Sequence, residues 1–195
     1  MPATQSDTRL RILDAAQQIM AHKGFAAVGI NEVLTEAGVP KGSFYHYFGS
    51  KDAFGEALLN TYFAEQTTDM DRIFAEPDLT PAERLLNYLH HWQESQSADG
   101  CQGKCLAVKL GAEVSDLSEP MRLALKDGTT AIIDRLERIL HNGSQDGSLT
   151  TTGDTRATAQ ALYTMWLGAS VMAKIHREPT PFDNTMEATR QLLHL

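Results

Sequence analysis

The chain has 195 residues, 42% of them hydrophobic, and a formal net charge of −8 at pH 7. That length gives one large or two small domains with enough core to fold alone. No apolar run nears twenty residues, so no membrane span is expected, and the opening MPATQSDTRL lacks a signal-peptide centre, so a cytoplasmic location is expected.

Taken in order, the elements read as helices and turns, an all-α chain with no convincing strand and no internal repeat. Thr8 to His22 carries the stripe Ile12, Ala15, Ala16, Ile19 and Met20, with Asp7 or Ser6 as cap and Lys23-Gly24 as stop. Phe25 is expected to close a small core beside Phe44 and Phe48. Ile30, Val33 and Leu34 repeat at helical spacing, so Ile30 to Ala37 is a second helix that Gly38 ends. Pro40 suits the turn before a third helix, Lys41 to Phe48, on which Phe44 and Phe48 face inward together. Ser50 caps a longer helix, Asp52 to about Phe74, with Phe54, Leu58, Leu59, Tyr62 and Phe63 on its inner side.

After the break EPDLTP, Pro81 opens a helix holding Leu85, Leu86, Tyr88, Leu89 and Trp92. SQSADGCQGKC reads as a loop, and Leu106 to Val114 as a short buried helix. Ser118 with Glu119-Pro120 begins another, which Asn142-Gly143 is expected to end near His141. Asp154 caps a long helix to about His176, and a short one covers Met186 to Leu195.

The stretch INEVLTEAGVPKGSFYHYFGSKDAF carries the sharpest chemistry. Two short helices, a tight turn and a cluster of phenolic, imidazole and amine groups make a helix-turn-helix suited to duplex DNA. Lys41, Ser43, Tyr45, His46 and Tyr47 lie off the buried face and offer donors and planar groups to phosphates and base edges. Lys51 in a helix's first turn opposes the dipole, which makes sense beside a phosphate. Five basic residues face four acidic ones in residues 1–51, a net +1. Twelve face twenty-one in 52–195, a net −9. Only the first part is expected to meet DNA.

KGSFYHYFGSK and INEVLTEAGVP resemble the recognition signature of the TetR family of bacterial transcriptional regulators, strongly over about the first sixty residues. The resemblance implies a helix-turn-helix DNA-binding domain over 1–51 and a helical regulatory and dimerisation domain over 52–195. It implies a homodimeric repressor on double-stranded operator DNA, with no catalysis, cofactor, metal or membrane. Asn31, Lys41, Gly42, Ser43, Tyr45, His46, Tyr47 and Lys51 are then the DNA-binding set, with Gly42 allowing close backbone approach.

The helix from Asp154 is apolar on more than one side and rich in small residues: Ala161, Leu162, Met165, Trp166, Gly168, Ala169, Ser170 and Met172. It reads either as a helix buried within one subunit or, as the resemblance implies, as part of a four-helix dimer bundle. The resemblance also implies a small-molecule pocket, for which Tyr88, Trp92, Met165, Trp166 and Met172 are candidates; each also reads as plain core. GKCLAVKLGAEVSDLSEPMR resembles the branch of the family that senses reactive electrophiles and oxidants through a cysteine. That makes Cys105 the candidate sensor thiol, with Lys104 and Lys109 near in sequence, Lys174 at a matching position, and Cys101 as a second thiol. The bland alternative is a buried small hydrophobe. A rival function is a cysteine-dependent enzyme using Cys105 with a lysine or His90. His90, His91 and Glu94 read as a solvated face rather than a metal site, and Glu113, Asp116 and Glu119 as exposed helix ends.

Overall fold

The computed structural model describes residues 5–103 and 105–195. Every regular element among them is helical. The chain divides into two compact units, Met1–Ala64 with Lys104–Gly128, and Glu65–Gly103 with Thr129–Leu195. Two helices, α4 (Lys51–Phe74) and α7 (Glu119–Asp146), supply residues to both.

In the first unit, α1 (Gln5–Lys23) packs on α2 (Ile30–Glu36) and on α6 (Leu106–Leu117). Because α1 starts at Gln5, Asp7 sits within its first turn rather than capping it, where a carboxylate still suits the dipole. Gly38, at φ +62°, ends α2 as expected. The amides of Gly38 and Val39 donate back to the Thr35 and Leu34 carbonyls, and the Arg11 guanidinium donates to the Ala37 carbonyl.

The expected eight-residue recognition helix is shorter and tighter. Lys41–Ser43 form a 3-10 turn, Phe44–Tyr47 a single α-turn (α3), and Phe48 is already extended. Pro40 lacks an amide hydrogen and the chain leaves helical geometry at Phe48, so few regular i to i−4 bonds can form. What holds this turn is an aromatic triangle. Phe44, Phe48 and Phe54 are buried, with ring centroids 5.4, 5.2 and 5.0 Å apart. Phe25 is also buried, against Gly55, where an added Cβ would lie 2.8 Å from its ring. Ser50 caps α4 through its hydroxyl, which accepts from the Ala53 amide at 3.0 Å.

In the second unit, α5 (Pro81–Cys101) opens on a complete capping box. The Thr80 hydroxyl accepts from the Glu83 amide and the Glu83 carboxylate accepts from the Thr80 amide. Those bonds from Thr80 hold the Glu83 carboxyl below its ordinary range. The expected loop begins later than Ser95, because α5 continues to Ser97. It breaks at Ala98, and Asp99, Gly100 and Cys101 follow with φ of 51°, 68° and 62°. α7 runs straight through Asn142-Gly143, which the sequence marks as a stop. A Cβ on Gly143 would come within 2.6 Å of Leu149, so this glycine serves close packing, and Gly147 at φ +79° turns the chain. Asp154 caps α8 (Thr155–His176), accepting from the Ala157 amide at 2.7 Å. α9 (Thr180–Leu193) starts six residues earlier than expected, on a proline at its N-terminus, and packs along α8.

Candidate nucleic-acid interface

With Phe44 and Phe48 consumed by the core, the short recognition segment turns its remaining side chains outward. Asn31, Lys41, Gly42, Tyr45 and His46 are exposed, and Ser43 and Tyr47 are half-buried. Tyr45 is 69% exposed, its ring set edge-on to Phe44 at 5.3 Å. His46 and Tyr47 meet edge to face at 5.1 Å. A Cβ on Gly42 would meet nothing within 4 Å, so nothing in the subunit demands glycine there. The Arg9 guanidinium lies 5.3 Å over the Phe48 ring, a cation beside the end of α3 that sequence reasoning missed.

Lys51 has a second role. Its ammonium donates to the Val28 carbonyl at 3.0 Å and sits 4.8 Å over the Phe25 ring. An internal acceptor thus accounts for a cation at the start of α4 without any phosphate. The same α1–α2 connection is held by α6. One carboxylate, that of Glu113, accepts from the Phe25 amide at 3.1 Å and the Ala26 amide at 2.7 Å. Glu113 is therefore half-buried and engaged, not a solvated helix end. Asp116 is exposed. Glu119 pairs with Arg122 on the same helix, and that hydrogen bond holds its carboxyl below the ordinary range. Glu113 and Glu119 thus have separate structural partners. His90, His91 and Glu94 are exposed on α5, and no metal-holding group of three His, Cys, Asp or Glu side chains occurs among the described residues.

Cys105 is the N-cap of α6, and its carbonyl accepts the first helical bond, from the Lys109 amide at 3.0 Å. Its sulfur is buried and takes a hydrogen bond from the Tyr62 hydroxyl at 3.4 Å. The helix N-terminus and the phenol both favour negative charge on sulfur, while burial opposes it. Lys109 is half-buried on α6; Lys104 lies outside the described residues. Cys101 is also buried. Lys174 on α8 donates to the Gly103 carbonyl at 3.1 Å.

The pocket candidates separate. Tyr88, Trp92 and Trp166 are buried and belong to one aromatic column, Phe74–Tyr88–Trp92–Trp166–Phe182, with Tyr163 edge-on to Trp92. Both indole N–H groups are satisfied inside it, Trp92 on Ser170 at 3.0 Å and Trp166 on Thr189 at 3.1 Å. Met165 is half-buried. Met172 is 43% exposed and falls instead on the outer face of α8, with Val171 at 40% and Ile175 at 65%. Ala157, Ala161, Thr164 and Gly168 continue that face at helical spacing. A Cβ on Gly168 would meet nothing within 4 Å in the subunit.

An aromatic-cored helix-turn-helix at one end of an all-helical chain, followed by a larger helical region, defines a DNA-binding regulator. Residues 12–58 match the family described as "Bacterial regulatory proteins, tetR family", and residues 81–189 match "Tetracyclin repressor-like, C-terminal domain". The HTH-type transcriptional repressor NemR of Escherichia coli is 38% identical over 190 residues, 97% of this chain and 96% of that protein. The crystal structure of the reduced form of E. coli NemR superposes with a TM-score of 0.91 at 40% identity, covering 96% of this chain and 97% of that one. The transcriptional regulator AcuR of Cereibacter sphaeroides is 32% identical over 170 residues, 87% of this chain and 78% of its own length. The chain belongs to the TetR family of bacterial transcriptional regulators, whose members bind operator DNA as dimers. It is a regulator and not an enzyme, which sets aside the cysteine-enzyme reading. No helix among the described residues is long and apolar enough to cross a membrane.

Proposed function

We propose that the chain is a homodimeric repressor that grips a near-palindromic operator through residues 1–51 and takes its signal through residues 52–195. The observation that carries this is the recognition segment: its two phenylalanines are spent on the core, so Lys41, Ser43, Tyr45, His46 and Tyr47 are presented outward from a rigid base. In this reading Lys41, Ser43 and His46 touch base edges in the major groove. Tyr45, Tyr47 and Lys51 hold phosphates, Asn31 helps from α2, and Gly42 admits the DNA backbone. Lys51 has three donors and spends one on Val28. The exposed apolar face of α8, with an open glycine at Gly168, supports close approach of a second copy. Operator binding by Tyr45→Phe and Lys41→Ala, measured by fluorescence anisotropy on DNA selected from a random pool, should weaken about tenfold or more each. Unchanged affinity in both would overturn the assignment.

For the signal, the proposal is modification of Cys105. E. coli NemR was crystallised in a reduced form, and we carry that redox character to this chain. The Cys105 thiolate adds to the β-carbon of an unsaturated carbonyl. A C–S bond forms, the π electrons move to oxygen, and water returns a proton to the resulting enolate. A hydroperoxide instead transfers hydroxyl to sulfur and leaves as an alcohol, giving a sulfenic acid. A non-covalent inducer would lie along Tyr88, Trp92, Met165 and Trp166. Cys105→Ser divides the two routes, since it should hold the operator in the presence of N-ethylmaleimide. Release of that variant by the reagent would remove Cys105 from the signal.

A further inference from the structure

We propose that Glu113 is a positioning residue for operator binding: its carboxylate latches the α1–α2 connection, and with it the recognition segment, onto α6. This deepens the repressor reading and rests on it.

The connection is built to receive an anion. Gly24 takes φ +88° immediately after α1, so the next two amides, of Phe25 and Ala26, turn toward one point. Glu113 fills that point with both oxygens, at 3.1 and 2.7 Å. A Cβ on Gly24 would lie 2.9 Å from Glu113 Oε2, so a side chain there is strained by conformation and would push the carboxylate aside. On the far side of the connection the Val28 carbonyl takes the Lys51 ammonium. The segment leading into α2 is thus held by an anion from α6 and a cation from α4. No apolar contact sets direction as a charged two-point hydrogen bond does.

The carrier of the latch also carries the candidate sensor. Cys105 caps α6 at its first turn and Glu113 follows eight residues on, about 12 Å along one helix at 1.5 Å per residue. An adduct on the buried Cys105 sulfur needs room, which a shift or fraying of the start of α6 would provide. A shift of that rod withdraws the carboxylate from the two amides. The head then loses the pose that fits its half-site, and affinity falls through the population of competent heads.

The test uses the full-length dimer in a Cys101→Ser background, with Glu113→Ala, Glu113→Gln and Glu113→Asp. Three readouts run in parallel: residue-resolved amide exchange, operator anisotropy and thermal melting. For Glu113→Ala, exchange at Phe25 and Ala26 should rise about tenfold and operator affinity should fall about tenfold, with the melting temperature within a few degrees. Glu113→Gln, which keeps one acceptor, and Glu113→Asp, which keeps the charge on a shorter arm, should lie between. Alkylation of Cys105 with N-ethylmaleimide should raise exchange at the same two amides. Unchanged exchange there in Glu113→Ala, or an affinity loss that only tracks a lowered melting temperature, overturns the latch. Release of alkylated protein with those amides still protected overturns its coupling to Cys105. If the parent protein binds no DNA from the pool, the repressor reading fails by itself, and the exchange data still judge the latch.

Discussion

Gly42 and Gly128 are both glycines in helical segments, and they answer to opposite demands. At Gly128 an added Cβ would lie 2.1 Å from Phe63 Cδ2, inside the first unit. Alanine there gains about 1 kcal/mol in helix propensity, but displacing a buried ring in a packed core costs about 1–3 kcal/mol. The clash wins, because Phe63 is also edge-on to Tyr62 at 5.2 Å and cannot swing aside without moving it. Gly128→Ala should lower the melting temperature by several degrees in a thermal scan. Gly42 has open space around it and an ordinary negative φ. Gly42→Ala should therefore melt at or above the parent temperature while binding operator about tenfold more weakly, if the proposed close approach of DNA at Gly42 holds. A variant that loses stability but not affinity would reverse the roles given to the two glycines.

At the scale of elements, helix-to-helix ion pairs show where charge matters. Arg135 on α7 makes a two-point bond to Asp71 on α4, at 2.9 and 2.7 Å, and that bond holds the Asp71 carboxyl below its ordinary value of 3.8. A depressed carboxylate stabilises above its unfolded value and loses that contribution as pH falls through the folded one. Asp71 is 52% exposed, so solvent screening keeps the contribution under about 1 kcal/mol. Urea melts of the parent and Asp71→Asn should differ slightly at pH 6 and converge below pH 3.8. A gap that widens toward acid would contradict the pairing. The elements legible in the sequence were those whose ends carry their own chemistry: Gly38, Pro81 and Asp154. α7 overran its apparent stop because Gly143 answers to Leu149 rather than to the backbone. The recognition segment was legible because its core pair and its outward side chains are neighbours in the chain. Glu113 and Tyr62 were not, because the groups they bind lie 87 or more and 43 residues away, and no local pattern encodes them.

For the whole molecule, the charge balance and the α8 face bear on one another. A head of net +1 joined to a remainder of −9 cannot hold DNA by charge alone. With Lys51 neutralising phosphate in each head, a dimer should release few counterions, giving a log–log salt slope of about −2. Weak single heads then need to be joined, because tethering the second contact adds about 10²- to 10⁴-fold in affinity without any new contact. The exposed row Ala161, Thr164, Gly168, Val171, Met172 and Ile175 is the face proposed for that joint. In the single chain Ile175 is 65% exposed, an unfavourable place for so apolar a side chain unless a second copy covers it. Ile175→Glu places a charge in that seam and touches no buried group of its own subunit. Light scattering should then find a monomer with the parent's helical circular dichroism. Its operator affinity should drop at least a hundredfold and its salt slope should halve. A dimer that survives the charge would move the joint to another face of the molecule. A monomer that binds at the parent's affinity would show that one head suffices, and the small positive charge of residues 1–51 would then need supplementing by contacts from Arg9 and its neighbours at the start of α1.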